Sequence, residues 1–192
     1  MTSTATTTAL SDLAGDYVLD VAHTRIGFVA RHALVTKVRG QFNEFEGGVS
    51  INAEDHSKTT AYVAIDVASI DTRNAQRDEH LRSSDFLAMD RFPQITFVST
   101  GVRVTSEQTV ELTGDLTIRG ITDSITVPFE FQGGVLDTFG NHRIGFEGSA
   151  VINRRDYGIT WNGLLETGGA LVSDKIALEF ELAAIKPGQV EG

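Results

Sequence analysis

The sequence predicts an all-β protein, with antiparallel strands arranged as a sandwich or closed barrel and one short helix inserted among them. Three observations predict this. Apolar and polar residues alternate with period two along most of the chain, turn-forming residues separate the alternating runs, and one dense polar stretch, RDEHLRSSDF, breaks the pattern.

Each run has a recognisable face. TRIGFVARHA sets Ile26, Phe28 and Ala30 against Arg25, Gly27, Val29 and Arg31. TAYVAIDV alternates Ala61, Val63, Ile65 and Val67 with Tyr62, Ala64 and Asp66. TVELTGDLTIRG sets Val110, Leu112, Leu116 and Ile118 against Glu111, Thr113, Asp115, Thr117 and Arg119. SITVPFEFQG continues with Ile125, Val127, Phe129 and Phe131. Pro128 within that run marks an edge or a bulge, because proline has no N–H for a ladder. HRIGFEGSAVIN places Ile144, Phe146, Ala150 and Ile152 together, and KIALEFELAAI does the same for Ile176, Leu178, Phe180 and Leu182. Turns fall at Gly47-Gly48, 52–57, Gly101, Gly133-Gly134, Gly140-Asn141 and Gly168-Gly169. Nineteen glycines suit a barrel, whose strands bend at corners.

The exception spans about 74–87 and reads as a helix. Asn74 is a candidate N-cap, Asp78 and Arg82 are spaced as a surface pair, and Leu81 and Phe86 are its apolar anchors. Pro93 restricts the loop that follows.

A chain of 192 residues is expected to form one domain, here 15–186, between disordered tails at 1–14, which is Thr-rich, and 187–192. The net charge is −10, which argues against nucleic acid and against docking on anionic membrane surfaces. The absence of cysteine excludes disulfides, thiolate nucleophiles and cysteine-ligated zinc. The first residues do not read as a secretory signal, and no run approaches the ~18 apolar residues of a membrane span. The expected address is cytoplasmic, without stable membrane insertion.

Candidate chemistry is sparse. The five histidines (His23, His32, His56, His80 and His142) have no metal-site spacing, and HExxH is absent. No GxSxG turn presents a serine, and no glycine-rich phosphate loop occurs. No catalytic residue, metal ligand or cofactor is assigned. RDEHLRSSDF is either a polar helix braced by arginine–carboxylate pairs or a lid whose arginines meet a polar headgroup. The inward phenylalanines either fill a dry core or line a ligand cavity.

Three segments occur in order: DVAHTRIGFVARHALVTKVRGQFNEFEGGV, SIDTRNAQRDEHLRSSDFLAMDRFPQITFVST and LTGDLTIRGITDSITVPF. With His23, Phe28 and His32, the pattern RD-x-HL-x-S-x-DF-x(6)-P-x-I-x-F, and GDLTIRG, the chain resembles the YceI-like family of polyisoprenoid-binding, lipocalin-like proteins over about 16–185. The resemblance implies an extended antiparallel lipocalin-like β-barrel around a long apolar tunnel, with the helix near its mouth. It implies a non-catalytic binding protein that carries, stores or shields a long-chain isoprenoid lipid, either a polyprenyl phosphate or an isoprenoid quinone. The alternative is an enzyme acting on an isoprenoid or other apolar substrate in the same barrel. Members are often dimers, so a homodimer is expected. Many relatives are exported, whereas no signal peptide is seen in this chain. The expected ligand-binding residues are Phe28, Phe42, Val63, Ile65, Leu81, Phe86, Phe97, Leu112, Leu116, Phe129, Phe131, Phe146 and Phe180. Arg77 and Asp78 are expected to brace the helix. Arg77, His80 and Arg82 are the alternative headgroup site.

Overall fold

Alternation builds strands because it lets one face of a sheet leave water while the other stays hydrated. The computed structural model describes residues 8–166 and 168–188. Its strands are β1 (Gly15–Leu19), β2 (Arg25–His32), β3 (Thr36–Phe42), β4 (Phe45–Ile51), β5 (Thr60–Asp66), β6 (Ile70–Asp71), β7 (Gln94–Val104), β8 (Thr109–Ile118), β9 (Ile121–Leu136), β10 (His142–Asn153) and β11 (Lys175–Lys186). The helix α1 (Ala75–Arg82) lies between β6 and β7.

The pairing closes a ring. β1 and β2 run end to end along β11, with Val18 opposite Ile185 and Ile26 opposite Phe180. β4 and β3 continue one another along β1 and β2, and β5 and β6 do so along β4 and β3. Three pairs of segments thus act as single bent strands, and the eleven make a closed antiparallel barrel of eight. Closure removes most of the exposed edges that would otherwise template aggregation.

The two ends differ. At the helix end lie α1, the β2–β3 and β8–β9 turns, and the segment 154–174. At the N-terminal end lie residues 8–14 with the β7–β8 and β9–β10 turns. The larger core cluster gathers Ile26, Ile65, Val67, Ile70, Phe86, Ile95, Phe97, Leu116, Ile118, Tyr157 and Ile159. A second joins Leu10, Leu13, Tyr17, Phe131, Ile144 and Ala184.

The expected tails fall at 1–7 and 189–192 outside the described residues. Residues 8–14 do not behave as a tail. Thr8 bridges Gly134, and Leu10 and Leu13 are buried beneath the barrel. The surrounding threonines obscured these two leucines, which cover apolar surface that the barrel would otherwise expose.

The helix is also shorter than expected. Asn74 caps it by accepting from the Arg77 backbone N–H at 2.9 Å, but α1 ends at Arg82, and Phe86 lies in the turns beyond it. Asp78 and Arg82 do not pair. Asp78 is buried and accepts from the Thr72 N–H (2.8 Å) and hydroxyl (2.5 Å). Arg82 donates to the carbonyls of Ala68 and Ile70. Burial draws Asp78 toward the backbone donor it can satisfy, which leaves Arg82 to cap the strand that precedes the helix.

Candidate functional site

The alternating faces converge on a cavity of about 1050 Å³ inside the barrel. Along β8 its lining runs from Val110 to Ile118, about 26 Å at ~3.3 Å per residue. All thirteen expected ligand-binding residues border it: Phe28, Phe42, Val63, Ile65, Leu81, Phe86, Phe97, Leu112, Leu116, Phe129, Phe131, Phe146 and Phe180.

An interior so rich in phenylalanine should fill, yet this one stays hollow, and interior glycines show why. Phe28 lies opposite Gly40 and Phe129 opposite Gly148 in register, and Phe97 leans over Gly114. A methyl group at any of these glycines would lie within 3.0 Å of the facing ring. Each ring therefore rests in a slot that only a missing side chain provides. The aromatic volume is stowed against the wall and the axis is left open. Neighbouring rings pack at tilted angles, with Phe28–Phe42 at 5.9 Å, Phe129–Phe180 at 5.8 Å and Phe131–Phe146 at 5.2 Å.

Polar groups are few. His56, Ser106, Glu107, Gln108 and Gln132 border the cavity at the N-terminal end. The helix lies at one end of the barrel, as expected, and α1 covers the end opposite this polar rim. His80 accounts for part of that closure. Its ring bonds Asp85 at 2.8 Å and stands edge-on to Phe86 and Trp161, at 5.0 and 4.7 Å between centroids. Arg77 donates to the Thr72 hydroxyl and carbonyl, at 2.8 and 2.9 Å. None of Arg77, His80 and Arg82, the alternative headgroup site, borders the cavity. Each arginine turns two donors to the backbone side of the helix, Arg77 to Thr72 and Arg82 to the carbonyls of Ala68 and Ile70. The expected brace does form, with Thr72 at its centre in place of an arginine–carboxylate pair.

A residue that the sequence reading missed organises the rest of the helix end. Arg154 is 3 % exposed. Its guanidinium donates to the carbonyls of Ser173, Ile159 and Trp161, at 3.0, 2.9 and 2.7 Å, and to the Asp174 carboxylate at 3.2 Å. Burial pulls its pKa below the ordinary value, and Asp174 opposes that shift. One buried cation thus gathers the carbonyls of a long loop that has few backbone partners of its own. Its signal, a lone RR after an alternating run, is indistinguishable from a solvated pair.

The wall is split beside it. The β9–β10 ladder runs from Leu136–His142 to Phe129–Gly148 and stops, while β9 keeps β8 and β10 keeps β11. Pro128, the next residue, has no N–H to continue the ladder, so the edge expected at this proline is present. A cleft of about 330 Å³ opens there, bordered by Ser124, Thr126, Ser149 and Val151. Tyr157 borders both cleft and cavity. Its hydroxyl is buried and has no hydrogen-bond partner among the described residues. Burial, with Asp123 and Asp156 adding to it, pushes its pKa up to about 12.

Among the described residues, no group of three or more His, Asp or Glu side chains is placed to hold a metal. No helix among them is long and apolar enough to cross a membrane.

An eight-stranded antiparallel barrel around an apolar cavity defines a lipocalin-like architecture. The chain belongs to the YceI-like family, whose domain matches residues 17–184. A UPF0312 protein of Staphylococcus aureus strain MSSA476 is 39 % identical over 165 residues, covering 85 % of this chain and 94 % of that protein. Two solved structures share the fold. BcnA of Burkholderia cenocepacia superposes with a TM-score of 0.74 at 24 % identity, over 86 % of this chain and 98 % of BcnA. A polyisoprenoid-binding domain from Saccharophagus degradans, implicated in plant cell wall breakdown, superposes at 0.67 with 17 % identity, over 89 % and 98 %.

Proposed function

We propose that this chain is a non-catalytic binding protein that holds a long-chain isoprenoid lipid, a polyprenyl phosphate or an isoprenoid quinone, along the barrel axis. The observation that carries this reading is the cavity: about 1050 Å³, long, and lined by aliphatic and aromatic side chains. Sites for drug-sized ligands run ~300–1,000 Å³, so this volume suits a long ligand. A branched hydrocarbon tail gains ~0.8 kcal/mol for each CH₂-sized group removed from water, and needs almost no polar contact to do so. The Saccharophagus degradans domain, described as polyisoprenoid-binding, has the same barrel. Headgroup discrimination is expected to be modest. The polar rim offers hydroxyl, amide and imidazole groups and one carboxylate, and Arg154, the one Lys or Arg among the described residues bordering the cavity, is already engaged.

Organic extraction of the purified protein, followed by mass spectrometry, tests the proposal. A prenyl compound near one per chain is expected. Extracts free of prenyl compounds, from a host that makes them, would refute it.

A further inference from the structure

The net charge of −10 is unevenly distributed. No acidic residue occurs between Asp20 and Glu44, yet Arg25, Arg31, Lys37 and Arg39 all lie in that interval. Arg25 pairs with Glu179. The other three are exposed around the β2–β3 hairpin and make no ion pair among the described residues. Lys175 is exposed on the adjacent strand, two residues beyond Ser173, which bonds the Arg31 backbone. The nearby carboxylate of Asp174 is taken by Arg154 and Arg155.

The tip between these cations is apolar. Leu34 is 64 % exposed and Val35 77 %. The loop packed against the hairpin, through Ala33 N–H to the Leu171 carbonyl, presents Leu164 at 92 %. Ala33 and Leu34 have φ of 50° and 59°, a left-handed conformation that glycine or asparagine would adopt with less strain. A glycine or asparagine would be the ordinary choice at such a tip, yet here it holds an exposed leucine.

From this juxtaposition we infer that the β2–β3 hairpin tip and Leu164 form a docking surface for a lipid bilayer carrying anionic headgroups. Charge complementarity selects that occupant: cations meet the headgroup phosphates while the aliphatic tip reaches the acyl boundary. The surface is continuous with the cavity, because Ala30 and Val172 line it and Val172 bridges His32 at the hairpin base. Docking here would set the helix end of the barrel against the membrane in which a prenyl lipid resides. The inference rests on the lipid-binding reading for its purpose and not for its test.

The test is co-sedimentation of the full chain with vesicles free of prenyl lipid. One set is phosphatidylcholine alone and the other equal parts phosphatidylcholine and phosphatidylglycerol. The chain is expected to sediment with the anionic set at low salt and to be released as rising salt shortens the Debye length from ~30 to ~8 Å. The double variant Lys37→Gln/Arg39→Gln should weaken association roughly tenfold or more. Leu34→Ser/Val35→Ser should weaken it as well, with unchanged melting points confirming that both variants fold. The variant Phe139→Ser, at the exposed β9–β10 tip at the other end, should have no effect.

Equal binding to both vesicle sets, or loss with Phe139→Ser but not with the hairpin variants, overturns the inference. Binding to heparin without any binding to anionic vesicles also overturns it, and identifies a soluble polyanion as the occupant. Extraction without a prenyl lipid alongside intact vesicle binding would remove the cargo reading alone.

Discussion

The glycine slots give the sharpest handle on the cavity. In Gly40→Ala the new Cβ would lie within 3.0 Å of the Phe28 ring. Carbon atoms pack best at ~3.5–4.0 Å, so the ring must retreat by roughly 1 Å or more. The wall blocks one side, and the cavity is the open direction. Forced overpacking costs ~1–3 kcal/mol, and the stiffer unfolded chain of an alanine variant returns ~0.4–1. A net loss of up to about 2.6 kcal/mol lowers the melting point by up to roughly 10 °C for a domain of this size. The larger consequence is functional, because the displaced ring enters the space a lipid tail would use. Lipid carried per chain, read by extraction and mass spectrometry, should fall well below that of the parent. Phe28→Leu in the Gly40→Ala background should restore much of both quantities, with a coupling above ~0.5 kcal/mol, since the two residues touch. If Gly40→Ala keeps its full lipid load and a melting point within about 1 °C, the ring is not held in that slot, and this account of the open axis fails.

Asp78→Ala leaves the buried Thr72 N–H and hydroxyl without their acceptor, at ~1–3 kcal/mol each; chemical denaturation should show a loss of about 2–6 kcal/mol, and one below ~0.5 would make Asp78 an ordinary surface residue. The raised pKa of Tyr157 has a definite sign: its neutral form is favoured in the fold, so its contribution is complete below pH ~10 and lost as pH rises toward about 12. Alkaline unfolding should therefore steepen between these values by about 2–3 kcal/mol and flatten in Tyr157→Phe, which removes an unpartnered hydroxyl and should cost little at neutral pH. An unchanged alkaline limb in that variant would dissociate Tyr157 from it. Stripping the lipid should lower the melting point by roughly 5–11 °C, with a long prenyl lipid restoring it and a short analogue restoring much less. Equal rescue by both would place the affinity in the headgroup.

The alternating faces were legible because a strand has a fixed period. Once Ile26, Phe28 and Ala30 share a side, the backbone leaves no choice about which residues meet inside. The N-cap at Asn74 and the edge at Pro128 were legible for the same reason, since each depends on one residue and its own backbone. The sequence could not say that the interior would be hollow. That outcome depends on Gly40, Gly114 and Gly148 arriving beneath rings of the neighbouring strand, a matter of inter-strand register. It could not show Arg154 as the buried centre of a loop, because its partners are backbone carbonyls, identical in every residue and brought together only by the fold. The charged helix was misread likewise: Asp78 and Arg82 are correctly spaced to pair, but burial offered each a nearer backbone partner. The sequence by itself determined which faces turn inward, through local periodicity. Only the tertiary structure decided whether that interior is filled or open, because that depends on which side chains lie opposite one another across the wall.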